Sequence, residues 1–203
     1  MISKIDFKKE FKEIYSPSKK EVSFVNVPKF KYLTIDGEGD PNTSQEYSDS
    51  IEALMSVSFK TKFIMKKEFN KDYVVMPLQG LWWQEDMENF SVDDKSSWKC
   101  TSLIMQPDFV NENHIKQATE ETILKKDLPS IDKLEFREIE EGLVAQILHI
   151  GPFSEEGPTV QKLHDEIFDN DYKFNGLHHE IYLSDIRRAN PDKLRTIIRQ
   201  PIK

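Results

Sequence analysis

The sequence predicts an α+β fold made of two similar β-α-β-β halves in tandem, and three observations predict it. A strand, a Gly/Pro turn, a helix and two further strands can be read over Phe30–Gln106, and the same series over Leu143–Pro201. Gly39-Asp40-Pro41 in the first series stands where Gly151-Pro152 stands in the second. Hydrophobic residues make up 37% and aromatics 11% of the 203 residues, enough for a packed core rather than a disordered chain. Antiparallel sheets with helices on one side, in two halves related by a pseudo-twofold axis, imply a central groove, and such clefts are common ligand sites.

The elements follow in chain order. Ile5, Phe7, Phe11, Ile14 and Tyr15 recur at helical spacing, so Asp6–Tyr15 reads as an amphipathic helix stopped by Ser16-Pro17. Phe30–Asp36, rich in β-branched and aromatic residues, reads as a strand, and Gly37–Pro41 as a turn. A helix is expected from Thr43 to Phe59, capped by Thr43 or Ser44, with Glu46 near its positive end. Tyr73–Trp83 and Trp98–Gln106 read as strands joined by the long acidic stretch Gln84–Ser97. Asn111–Lys126 is helical, and Pro129 marks its break. Phe136–Ile139 and Leu143–Ile150 suggest a hairpin bent at Glu140-Glu141-Gly142. A helix to Phe168 then precedes strands His178–Ser184 and Thr196–Pro201. The organisation is one domain over residues 1–203. It divides into an N-terminal helix and extended arm (1–27), a first half (28–110), a connecting helix (111–130) and a second half (131–203).

Charge and cysteine usage narrow the function classes. The net charge of −8 disfavours attraction to phosphate backbones or anionic lipid, so direct nucleic-acid binding is not expected. No stretch approaches the roughly 20 apolar residues of a membrane span, and the start lacks the apolar run of a signal peptide. A single cysteine, Cys100, forms no internal disulfide, and a cytoplasmic setting is expected. No Cys/His cluster supports a metal, and no cofactor motif is present: Gly37-Glu38-Gly39 lacks the glycine and lysine of a phosphate loop.

Chemistry-bearing residues concentrate near the end of the chain. Alternation in His178–Leu183 puts His178, Glu180 and Tyr182 on one face, and His179, Ile181 and Leu183 on the other. The apolar pair Ile181 and Leu183 is expected toward a helix-covered core, which leaves Glu180 and Tyr182 facing the groove. A carboxylate beside apolar walls finds a cation or a raised pKa, which suits a general base. The Tyr182 hydroxyl is suited to donate to a ligand carbonyl. His178 is placed to orient Glu180 or exchange a proton with it. By the repeat, Gln79 falls opposite Glu180, which puts Gln79, Leu81 and Trp83 on the groove face and Trp82 in the core, unless Gly80 marks a bulge. Tryptophan faces bind cations and flat rings, and Trp98 is a further candidate. Cys100 reads as a small strand residue. The doublets Glu120-Glu121 and Glu140-Glu141 read as solvated helix and turn faces. Arg187, Arg188 and Arg195 read as surface balance.

The ordered segments KYLTIDGEGDPN, PLQGLWW, QPDFV, HIGPFSEE and HHEIYLSD resemble the GyrI-like small-molecule-binding family over nearly the whole chain. HHEIYLSD after HIGPF is the most specific piece. The start, DFKKEFKEIYSPSKK, is similar to that of stand-alone members. The resemblance implies the tandem SHS2-type β-α-β-β fold, a groove between the halves and an acidic strand residue near its floor, which Glu180 matches. It also implies a choice of function. Some stand-alone members hydrolyse strained cyclopropane rings of DNA-alkylating natural products and protect the cell. Regulator members bind lipophilic cations, and the founding type binds DNA gyrase. No helix-turn-helix precedes Phe30, so a DNA-binding arm is not expected. Catalytic roles for Glu180 and Tyr182 are therefore expected, with Trp83, Gln79, Trp82, His178 and Trp98 contacting an aromatic or cationic ligand.

Overall fold

The structure, a computed structural model, describes residues 3–84, 97–185 and 188–203. In chain order its elements are β1 (Lys4–Ile5), α1 (Phe7–Glu10), α2 (Lys12–Tyr15), β2 (Ser23–Val27), β3 (Phe30–Glu38), α3 (Gln45–Glu68), β4 (Asp72–Tyr73), β5 (Leu78–Trp83), β6 (Lys99–Gln106), α4 (Glu112–Ile123), β7 (Glu135–Ile139), β8 (Gly142–Ile150), α5 (Gly157–Asp169), β9 (His178–Tyr182) and β10 (Arg195–Pro201). The fold is α+β: β2, β3, β6, β7, β8, β9 and β10 pair antiparallel, and the short β1 and β4 pair parallel. The chain forms two compact units. One comprises Met1–Phe7, Phe30–Met76 and Gly80–Ile139; the other comprises Lys8–Lys29, Pro77–Gln79 and Glu140–Lys203.

In the first unit β3 lies between β6 and β7. Helix α3 packs on β3 and β6, with α4 beside it. Ser44 caps α3, its hydroxyl accepting from the Tyr47 amide at 3.1 Å. The helix runs 24 residues, well past the expected end at Phe59. Ala53, Leu54, Val57, Thr61, Ile64 and Met65 keep a buried stripe at 3–4 residue spacing, and that stripe extends the helix through the lysine-rich stretch. Asp72 accepts from Lys62 at 3.1 Å and Lys66 at 3.0 Å and ties the end of α3 to β4.

In the second unit the strand order is β2-β8-β10-β9. Its register sorts the side chains cleanly. Ile198 stands opposite both Ile147 and Glu180, and Thr196 opposite His149 and Tyr182. That face meets α5 through a core of Ala145, Ile147, Leu163, Ile167, Ile198 and Ile202. Arg199 stands opposite Gln146 and His179, and Ile197 opposite Ile181, on the reverse face. The reverse face is roofed by the N-terminal segment, where Gln146 Nε2 donates to the Glu13 carbonyl and Arg199 Nη2 to the Ile14 carbonyl.

Two sequence expectations need correction here. First, Phe136–Ile139 and Leu143–Ile150 do not form a hairpin. β7 pairs with β3, and β8 pairs with β10 and β2. The β8–β10 ladder matches seven residue pairs, more than a hairpin with the five-residue β7 could offer. Second, the N-terminal amphipathic segment is two short helical pieces interrupted at Phe11 rather than one helix. The expected connection Gln84–Ser97 lies outside the described residues from 85 to 96, as does Arg187 of the arginine group. Gln84 Nε2 reaches Ser97 Oγ at 3.0 Å across the ends of that connection.

Candidate functional site

Strand β9 carries the side chains that could do chemistry in the second unit. Glu180 Oε2 accepts from the Tyr182 hydroxyl at 2.8 Å, and its Oε1 lies 3.3 Å from His178 Nε2. The Glu180 side chain is 17% exposed: reachable by a ligand, yet largely withdrawn from water. The alternation of the strand therefore brings His178, Glu180 and Tyr182 together, as their spacing predicts. Their face, however, is the one that α5 covers, not the opposite one. Both faces of β9 are roofed, so apolar Ile181 on one side does not tell which side the longer helix takes.

Aromatic rings pair at two places within the same unit, one of them against Tyr182. The Phe153 ring stands edge-on to Tyr182, with centroids 5.6 Å apart. His164, on α5, stacks on Phe174 at 4.7 Å, and Phe168 lies 5.2 Å from Phe174. Phe153, Phe168, Phe174 and Leu177 are large apolar side chains left partly in solvent. A partly exposed ring such as Phe153, set against the tyrosine that holds a half-buried acid, is a pattern of ligand sites. Burial, and secondarily the neighbouring His178, hold the His164 pKa below the usual histidine value. Sequence reasoning gave His164 and Phe153 no site role, because periodicity placed them only on a helix and after a turn.

Gln79 does not join Glu180. It is buried, and its Oε1 lies 2.9 Å from His179 Nε2, on the reverse face. The repeat set Gln79 opposite Glu180 on the assumption of strict alternation, but Gln79 and Gly80, successive in β5, are both buried. Trp82 is in the core of the first unit, 5.9 Å from Tyr47 and 5.7 Å from Trp98 between ring centroids. Trp83 is half-buried, and so is Trp98. A pocket beside Tyr47, Ser50 and Cys100 has a volume of about 10 Å³, room for about one water and too small for a ligand. Cys100 is buried, and burial pushes its thiol up to about 11, which suits a packing role and not a nucleophile. Among the described residues, no group of three or more His, Cys, Asp or Glu side chains is placed to hold a metal ion. No helix is long and apolar enough to cross a membrane, among those residues.

The reverse face of β9 holds a buried polar cluster that sequence reasoning missed. Glu141, expected in a solvated turn, is 6% exposed. Its Oε1 lies 2.8 Å from His179 Nδ1, and its Oε2 accepts from Arg199 Nη1 at 2.8 Å. Arg199 also donates to Gln146 Oε1 from Nε at 3.1 Å and Nη2 at 2.9 Å. Burial alone would raise the Glu141 pKa. The charges of His179 and Arg199, with their hydrogen bonds, outweigh it and pull the carboxyl down from 4.5 to about 2. Burial pushes the Tyr15 hydroxyl, beside Gln79, up to about 12.

A depressed folded-state pKa means that Glu141 contributes stability above pH 4.5 and loses it as the pH falls toward 2. The span corresponds to about 3 kcal/mol. Urea midpoints followed from pH 6 to 2.5 are therefore expected to fall more steeply in the parent protein than in Glu141→Gln. Parallel curves would contradict this.

An α+β chain with a ring-framed carboxylate on a sheet strand has the makings of a small-molecule-binding domain. This chain belongs to the GyrI-like small molecule binding domain family, whose family model matches residues 20–203. An uncharacterized conserved protein from Listeria innocua is 38% identical, with a TM-score of 0.91 over 98% of this chain and 100% of that one. A hydrolase from the same organism is 37% identical, with a TM-score of 0.89 over 99% and 100% of the two chains. The EcmrR C-terminal domain, 12% identical over 90% of this chain and 97% of that one with a TM-score of 0.57, shares the fold. No functionally curated protein matches the chain.

Proposed function

We propose that this protein binds flat, electron-poor aromatic molecules against the Glu180 face of β9 and hydrolyses those that carry a strained, electrophilic ring. The observation that carries the reading is the Glu180 carboxylate itself. It is mostly withdrawn from solvent and held by Tyr182 and His178, with the Phe153 ring edge-on to Tyr182 and the His164–Phe174 ring pair in the same unit. The hydrolase descriptions of the similar Listeria innocua proteins support the reaction class.

The chemistry balances with water as the sole co-reactant. Glu180 takes a proton from water as its oxygen attacks a cyclopropane carbon conjugated to a dienone. The breaking C–C bond delivers its electron pair into the ring, which becomes a phenolate and is then protonated. Tyr182 holds Glu180 Oε2 and so orients the base; this places its hydroxyl on the acid and not on a ligand carbonyl as the sequence suggested. The setting is cytoplasmic and the role protective, removing alkylating compounds without contacting nucleic acid.

A second reading shares the same residues. A carboxylate among rings is also a counter-charge for a lipophilic cation, with no product formed. Incubation with a spirocyclopropyl-dienone alkylator, followed by chromatography, is expected to yield the ring-opened, water-added product catalytically. Tight binding of a cationic dye such as rhodamine 6G with the alkylator left intact would replace the first reading by the second.

A further inference from the structure

We infer that Glu141, Arg199 and His179 are positioning residues for Glu180, and that the N-terminal segment is the outer layer of the same device. The inference rests on the reading of the Glu180 face as the ligand site. His179 stands between His178 and Glu180 in β9, with its side chain on the opposite face. Both of its ring nitrogens are engaged, Nδ1 with Glu141 Oε1 at 2.8 Å and Nε2 with Gln79 Oε1 at 2.9 Å. A ring gripped at both ends cannot rotate or slide without breaking one of the two contacts. Adjacent Cα atoms are about 3.8 Å apart, so fixing His179 fixes the backbone that aims Glu180.

The grip continues outward through a chain of buried hydrogen bonds. Glu141 is held by Arg199, Arg199 by Gln146 and the Ile14 carbonyl, and Gln146 by the Glu13 carbonyl. Residues 13–15 precede the span that the family model matches, yet Ile14 and Tyr15 are buried against this cluster. The first nineteen residues of the chain thus supply the last partners of an ion network whose inner end is the candidate site.

Stability alone is a poor reason for such a cluster. Well-packed apolar residues in place of buried ion pairs are often as stable or more so. What charges and paired nitrogens add is a single allowed arrangement, which is what an acid that must meet a reacting atom requires.

The test uses Glu141→Gln and Gln79→Met in the full chain, each measured well below its unfolding midpoint. Two readouts are taken: the pH titration of the His178 ring by NMR, which reports its contact with Glu180, and the affinity for rhodamine 6G. Both variants are expected to shift the His178 titration and to weaken dye binding at least about tenfold. Ile167→Val, which loosens the α5 core without touching the cluster, controls for stability and is expected to leave both readouts within twofold. If Glu141→Gln does not fold, Gln79→Met decides alone. An unchanged His178 titration in a folded variant overturns the positioning role. If the parent protein does not bind the dye while the His178 titration shifts, positioning stands and the cation-binding reading of the site falls.

Discussion

Glu180→Gln is expected to slow ring opening by about 10²–10⁴-fold while changing affinity for the neutral alkylator by no more than a few-fold. Glutamine keeps the shape of the side chain, and its carbonyl oxygen still accepts from the Tyr182 hydroxyl, 2.8 Å away in the parent. What it loses is the ability to take the proton of the attacking water. Aromatic contacts with Phe153 and its neighbours are untouched, so ground-state binding should persist. Single-turnover chromatography separates the two quantities. Turnover equal to that of the parent would remove Glu180 from the reaction. The competing reading predicts the reverse pattern, a large loss of affinity for a cationic dye and no product from either protein.

The second large effect is on stability. Arg199→Met is expected to cost about 3–5 kcal/mol in urea unfolding, because it strands Glu141 and the Gln146 amide oxygen in a dry interior. Arg199 is 1% exposed, so water cannot replace the lost donors. Adding Glu141→Gln to that variant should cost little further, since the stranded charge is then gone. The pair is therefore expected to be strongly non-additive in a double-mutant cycle. Equal, additive losses would mean that the two side chains do not act as a unit.

How far the sequence discloses this molecule depends on the range of the interaction. Period-2 and period-3.6 patterns report local burial, so β3, β6, β10, α4 and the Ser44 cap all stand close to where residue types put them. The convergence of His178, Glu180 and Tyr182 is equally local, set by alternation within one strand. Glu141 is the opposite case. Nothing about two acids before a glycine says that the second turns inward. Its partners His179 and Arg199 lie 38 and 58 residues further on. The missing hairpin has the same cause. Two strands joined by a short turn look like neighbours, but the longer ladders with β3 and β10, remote in sequence, take them apart. Gln79 is a further long-range case: a weak repeat sets it opposite Glu180, while its contact with His179, 100 residues on, puts it on the reverse face.

The bond between Arg199 and the Ile14 carbonyl spans 185 residues of chain. During synthesis the segment around Ile14 leaves the ribosome well before the strand that receives it. The carbonyls of Glu13 and Ile14 therefore wait for Gln146 and Arg199 while more than a hundred residues are made. A C-terminal piece beginning at Glu140 would never meet them or Gln79, so it should emerge with Arg199 and His179 short of partners and be prone to aggregate.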